Sequence, residues 1–225
     1  MAKLLLVANS AWNLAHYRRP WIEGLRTAGY EVHTAAPPDA YVEALEALTA
    51  TTHYQLPPFS GRSWWVLLGL YKRLKPALVI HFTLLPNVYG GLLARCLGRP
   101  YLAVITGLGS AFLGFWPRRY LAILGYRLAL GGAKCIIFYN QADREAFQGW
   151  SIGQGVATAL IPGSGVDLQH FCSLPLPPLK EGLRLLYLGR FLADKGLVEL
   201  LTALRWAPKV VFLFWLTAGG SLGRR

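Results

Sequence analysis

The sequence predicts an α/β protein: a parallel sheet sandwiched by helices, followed by the opening of a second domain of the same kind. Three observations carry this. Short apolar runs alternate with amphipathic segments along most of the chain. The runs, such as KLLLVAN and PALVIHFT, are continuous rather than alternating with polar residues. That is the pattern of strands buried on both faces, as in a helix-covered parallel sheet. Third, after an aperiodic, proline-rich stretch near residue 170 the strand–helix–strand rhythm begins again.

Taken in order, residues 3–9 (KLLLVAN) predict a first buried strand. Their apolar core is too short for a leader peptide and runs straight into a patterned helix. Residues 16–29 predict that helix, with Trp21, Leu25 and Ala28 at helical spacing and Gly29 as its stop. Strand 30–37 follows, then helix 39–48 with Asp39 as N-cap, and a short strand at 52–57. Helix 63–75 is expected to be capped by Ser63, strand 76–83 comes next, and helix 86–98 is opened by Pro86. Strand 100–107, helix 117–132, strand 133–140, helix 141–150 and strand 156–163 complete seven strands alternating with six helices. The expected divisions are a Rossmann-like N-terminal domain over 1–163, a linker over 164–182, and a second Rossmann-like domain over 183–225. The last contains only a strand (183–190), a helix (196–207) and a strand (209–216). A lone β-α-β unit cannot cover both faces of a sheet, so this domain is expected to be incomplete.

Composition narrows the function. The chain has 225 residues, 54% hydrophobic and 15% charged, with a mean hydropathy of +0.35. That excludes a disordered chain. No apolar run reaches the length of a membrane span; the longest, around residues 112–132, is interrupted by Arg118, Arg119 and Arg127. The net charge of +12 points to a polyanionic partner: nucleic acid, phosphorylated substrates or an anionic membrane. No nucleic-acid-binding motif is present, so nucleic acid is not expected. Three scattered cysteines, Cys96, Cys135 and Cys172, fit reduced, mostly buried thiols in a cytosolic protein.

Ligands of open parallel sheets bind outside the carboxyl ends of the strands. That directs attention to a few loops. In GRFLADKG, Gly189 permits a turn, Arg190 offers a planar fork of donors, Lys195 a point charge, and Gly196 precedes a helix whose amides can face an anion. The stretch suits a diphosphate, or is a solvated loop with two ordinary cations. TGLGSAF places Gly107 and Gly109 after a strand, without the full dinucleotide fingerprint; a tight turn admitting a substrate fits equally. IPGSGVD is a hinge candidate. His81 ends a strand at the expected cleft and is a candidate acid or base, or a histidine satisfied by its neighbours. D-x-D, H-E-x-x-H and Walker A motifs are absent, so no metal is expected. Two helices combine aromatic and basic residues: Trp64, Trp65 and Tyr71 with Lys72, Arg73 and Lys75, and Phe115, Trp116, Tyr120 and Tyr126 with Arg118, Arg119 and Arg127. They fit a membrane interface, or core helices with a basic outer face.

Taken together, NSAWNLAHYR, HFTLLPNVYGGLLAR, ITGLGSAF, FYNQADREAF, IPGSGVDLQHF and GRFLADKGLVELLTAL resemble bacterial glycosyltransferases of the GT4 family, which have the GT-B fold. The resemblance runs from the start to about residue 212 and is nearest to the branch that extends lipid-linked saccharides. It implies retaining, metal-independent transfer from a nucleotide sugar, typically UDP-linked, to a polyprenyl-diphosphate-linked acceptor at the inner face of the cell membrane. No cofactor is implied. Arg190 and Lys195 would hold the donor diphosphate. Asn9, Ser10 and Asn13 would line the acceptor side, Gly107 and Gly109 would admit sugar or phosphates, and His81 would be catalytic. The family's E-x7-E pair and the glycine-rich turn before it are missing: the chain reads WLTAGGSLGRR and stops. A C-terminally truncated enzyme, weakly active or inactive by itself, is therefore expected. The alternative is a non-catalytic, membrane- and acceptor-binding module completed by a second chain.

Overall fold

The structure, a computed structural model, describes residues 1–49, 52–109, 112, 116–168, 171–173, 175, 183–189, 195–206 and 210–216. The chain divides into two compact units, Met1–Val166 and Asp167–Arg225.

In the first unit the apolar runs become strands because burial on both faces suits their aliphatic side chains. The order along the chain is β1 (Lys3–Val7), α1 (Ala11–Tyr17), α2 (Arg19–Thr27), β2 (Glu31–Ala36), α3 (Val42–Thr49) and β3 (His53–Gln55). It continues with α4 (Gly61–Leu74), β4 (Leu78–Phe82), α5 (Leu84–Cys96), β5 (Tyr101–Ile105), α6 (Trp116–Leu130), β6 (Cys135–Phe138), α7 (Gln141–Gly149) and β7 (Thr158–Leu160). All seven strands are parallel, in the order β3-β2-β1-β4-β5-β6-β7. The first strand is central: Leu5 pairs with His33 on one side and Val79 on the other. The chain builds outward from β1 to β3, then crosses back to lay β4 against β1. The topological switch point, where such sheets bind ligands, therefore lies between β1 and β4.

The side-chain period of two divides the core. Leu6, Ile80, Phe82, Val104 and Ile137 face α1, α2 and α3, with Leu14, Ile22 and Leu45 packed on them. Leu5, Val7 and Val79 face α4 and α5, through Leu67, Leu70, Tyr71 and Leu93. Ala103, Ile105, Ile136 and Phe138 continue that second face under α6 and α7, against Tyr126, Leu130 and Phe147.

Cys96 and Cys172 are exposed and Cys135 is half-buried, unlike the mostly buried thiols expected from sequence. Four details of the helices differ from the sequence reading as well. The first unit has seven helices among the described residues, because Ala11–Tyr17 forms a helix of its own. Ser10 caps it, its Oγ accepting from the Asn13 N–H at 3.1 Å. It breaks at Arg18, and Pro20, which has no N–H to continue the ladder, restarts the chain as α2. Asp39 is not spent on α3, which starts only at Val42; its carboxylate accepts from the Trp12 and Tyr41 amides, both at 2.9 Å. In α4 the cap is Ser60, and Ser63 is its reciprocal partner one turn in, accepting from the Ser60 N–H at 2.8 Å and donating to its carbonyl at 2.6 Å. Finally, α5 begins at Leu84, before Pro86, whose missing N–H costs nothing in a first turn.

The second unit contains β8 (Leu183–Gly189), α8 (Leu197–Leu204) and β9 (Val210–Leu216). The two strands are parallel and paired from Leu183–Val210 to Gly189–Leu216. Gly196 precedes α8 with φ +69°, a conformation that favours glycine.

Candidate active site

The carboxyl edge of the first sheet gathers most of the predicted residues. Asn9 is exposed just after β1, Ser10 caps α1, and Asn13 follows within that helix. Ser10 is thus already an acceptor for a backbone amide, and Asp39 occupies the Trp12 amide, so this helix end is satisfied from within the fold. Asn13 keeps a buried Oδ1 with no hydrogen-bond partner among the described residues. Gly107 and Gly109 follow β5, both exposed, with φ +144° and +69°. A Cβ at either position meets nothing within 4 Å, so it is backbone conformation, and not crowding, that favours glycine there.

His81 is elsewhere. Its strand ends at this edge, but its side chain points into the α4–α5 face and is wholly buried. Nε2 lies 2.7 Å from the Tyr71 hydroxyl, and the ring sits between Tyr71 and Tyr101. Gly90 approaches so closely that a Cβ there would lie 2.4 Å from Nε2. Burial pushes the imidazole pKa down to about 3, so the ring is neutral. In this arrangement it touches packing partners and not solvent. Of the residues expected to hold a diphosphate, Lys195 is exposed beside Gly196 at the start of α8, in the second unit. Arg190 lies outside the described residues.

Three groups at the edge were not picked out from sequence. Arg18, at the break between α1 and α2, is only 2% exposed. One of its terminal nitrogens donates to the Tyr139 hydroxyl and, at 2.7 Å, to Ser164 Oγ. Its guanidinium lies 4.5 Å from the centre of the Phe82 ring and 5.5 Å from that of Tyr139. Its Nε is buried without a partner, and no carboxylate pairs with it among the described residues. Desolvation lowers its pKa from the usual arginine value, an effect partly offset by Tyr139. Ser164 also donates to Tyr139, at 3.3 Å, leaving the Tyr139 O–H without an acceptor among the described residues. Thr83, after β4, has φ +72° and ψ +169°, a region that is essentially glycine-only and costs about 1–3 kcal/mol. Its Oγ1 is buried and unpartnered among the described residues. An exposed aromatic group gathers at α1: the Trp12 ring meets His16 at a tilt and Tyr17 edge-on, and Tyr41 meets His16 edge-on. Among the described residues no group of three or more His, Cys, Asp or Glu is placed to hold a metal ion. Of two surface cavities, of about 590 and 460 Å³, one opens beside Glu31 and His33 and the other between β3 and α4.

The edge therefore presents hydrogen-bond donors, a buried cation and a strained turn around the switch point. Residues 3–140 match the family described as Glycosyl transferase 4-like, more than half of the chain. The chain belongs to that family. No curated protein matches it. Solved structures share the fold. Sucrose-phosphate synthase from Thermosynechococcus elongatus superposes with a TM-score of 0.70 at 18% identity, over 95% of this chain and 62% of that one. The HepE protein of Anabaena, solved with UDP-glucose, gives 0.71 at 16% identity, over 95% and 60%. A Rickettsia africae glycosyltransferase gives 0.62 at 12% identity, over 96% and 69%. This Glycosyl transferase 4-like chain spans about three fifths of the length of the first two. Its two Rossmann-like parallel β-α-β arrangements are those of the GT-B fold.

Proposed function

We propose that this chain belongs to an enzyme that transfers a sugar from a nucleotide sugar, UDP-linked, to a lipid-linked saccharide at the cytoplasmic membrane face, with retention of configuration and without a metal. The family membership and the UDP-glucose bound by the HepE protein support the reaction class and the donor. In this reading the first unit takes the acceptor and the second opens the donor site, where Lys195 and Arg190 hold the diphosphate.

Arg18 carries the reading. A buried guanidinium without a counter-anion is costly, and the cost falls when an anionic group arrives nearby. Arg18 polarises Ser164 and Tyr139, and the Tyr139 O–H, on a partly exposed residue, is left to donate to a ligand. The acceptor diphosphate supplies the anion. The exposed rings of Trp12, Tyr17 and Tyr41 then offer stacking surfaces to the acceptor sugars.

The test is incubation of the chain with polyprenyl-diphosphate saccharides and a panel of labelled UDP-sugars, with and without a chelator. Acceptor binding weakened by Tyr139→Phe while the fold is retained, with any transfer weak in a chain without the E-x7-E pair and unaffected by chelation, is the expected result. Acceptor binding untouched by Tyr139→Phe overturns the assignment of this edge. Firm acceptor binding with no nucleotide binding at all transfers the case to a non-catalytic module completed by another chain.

A further inference from the structure

From residue 47 to residue 142 the sequence contains no Asp or Glu, yet it contains ten Lys and Arg. By contrast, residues 1–46 carry five acids against four bases. The fold turns this asymmetry along the chain into an asymmetry in space. The acid-free segment supplies α4, α5 and α6, which cover one face of the first sheet side by side. The acids Glu23, Asp39, Glu43 and Glu46 belong to the opposite layer, on or beside α2 and α3.

The same face exposes large apolar side chains in helical stripes. Trp65 is 70% exposed on α4, beside Val66. On α6, Tyr120, Leu121, Leu124 and Leu128 fall on one side, and Leu121 is 68% exposed. Buried Ala122, Tyr126, Ala129 and Leu130 take the core side of that helix, so the outer stripe is not needed for packing. Exposed Lys72 and Arg118 flank the two stripes. Helices between parallel strands run opposite to them, so α4, α5 and α6 all begin at the carboxyl edge. Trp65 and Val66, Leu85 of α5, and Tyr120 and Leu121 therefore all lie near the helix ends that adjoin the candidate site.

We propose that this face docks on an anionic bilayer, with the edge-side ends of α4, α5 and α6 in the headgroup region. Trp and Tyr with aliphatic neighbours suit that depth, and the cations of α4, α5 and α6, with the acids of this face, Asp143 and Glu145, set on the neighbouring α7, suit anionic lipid. Charge complementarity decides the occupant: an acidic protein would match the cations but gives no reason for the apolar stripes to be dispersed over separate helices. No described helix is long and apolar enough to cross a membrane, so the contact is one of surface docking. Its purpose rests on the lipid-linked acceptor: docking in this orientation presents the carboxyl edge to a substrate anchored in the same bilayer.

The test is co-sedimentation of the full chain with phosphatidylcholine vesicles, with and without phosphatidylglycerol. It needs no turnover, so failure of the sugar-transfer reading leaves its outcome intact. Binding is expected only to the anionic vesicles and should weaken with salt. Lys72→Gln with Arg118→Gln should reduce partitioning about 30-fold, at roughly five-fold per charge near the surface. Leu121→Ser with Leu124→Ser should reduce it as well, whereas Arg26→Gln, on the opposite layer, should not. Equal binding to neutral vesicles overturns the proposal, as does equal loss from Arg26→Gln. So does self-association abolished by Leu121→Ser and Leu124→Ser in a chain that ignores vesicles.

Discussion

Acid should loosen the first unit through His81. The folded ring stays neutral down to about pH 3 because it is desolvated, while an unfolded histidine titrates near its ordinary value of about 6.5. The folded pKa is the lower one, so the stability involved is fully present above about pH 6.5 and is lost as pH falls toward about 3. Between about pH 7 and about pH 5 the unfolded chain takes up most of one proton that the fold refuses, a loss of about 2 kcal/mol. This figure depends on the unfolded value and on His81 remaining neutral at pH 5, and hardly on the depth of the shift. Urea unfolding followed by tryptophan fluorescence at the two pH values measures it. The control is Tyr71→Phe with His81→Leu, which removes both members of the hydrogen-bonded pair and leaves the other histidines in place. The double variant should lose about 2 kcal/mol less than the parent on acidification. Equal acid sensitivity in the two proteins would refute the buried, neutral ring.

Other substitutions test the packing. Gly90→Ala drives a Cβ to 2.4 Å from His81 Nε2 and 3.0 Å from the Tyr71 hydroxyl, and should destabilise by about 1–3 kcal/mol, read as a lowered melting temperature. Gly24→Ala, in the open middle of α2 with nothing within 4 Å, should do the reverse and stabilise by about 0.5–1 kcal/mol. Ser63→Ala removes both of its bonds to the Ser60 backbone and should cost about 1 kcal/mol by denaturant midpoint, with the m-value unchanged.

Strands were readable from sequence because burial on both faces leaves a signal in every residue, as in Leu4 through Val7. Helix ends were less readable, since several polar residues compete for each cap. Ser63 and Asp39 both looked like caps, and the fold gave one a supporting role and sent the other to a different helix. Arg18 and Arg19 are indistinguishable in sequence. A break in the helix buries the first under Tyr139, while the second pairs with Glu23 at the surface at 2.7 Å. His81 misled for a geometric reason: nearness to a strand end fixes how close the backbone comes to the edge, but the alternation of side chains sends this ring to the helix-covered face. That Asn9, Gly107 and Gly109 lie at this edge was legible because each follows an apolar run that reads as a parallel strand, and such sheets leave their backbone open there.

The central position of β1 has a consequence for how the protein is made. β1 is synthesised before both of its neighbours; it pairs on one flank with β2 but must wait for β4, so Leu5 meets Val79 only after four helices have been synthesised in between. Until then a strand apolar from Leu4 to Val7 has one unpaired edge, and the growing chain is most prone to associate with its neighbours in that interval. Yield during expression should therefore depend on translation speed through residues 31–82 more than on anything downstream.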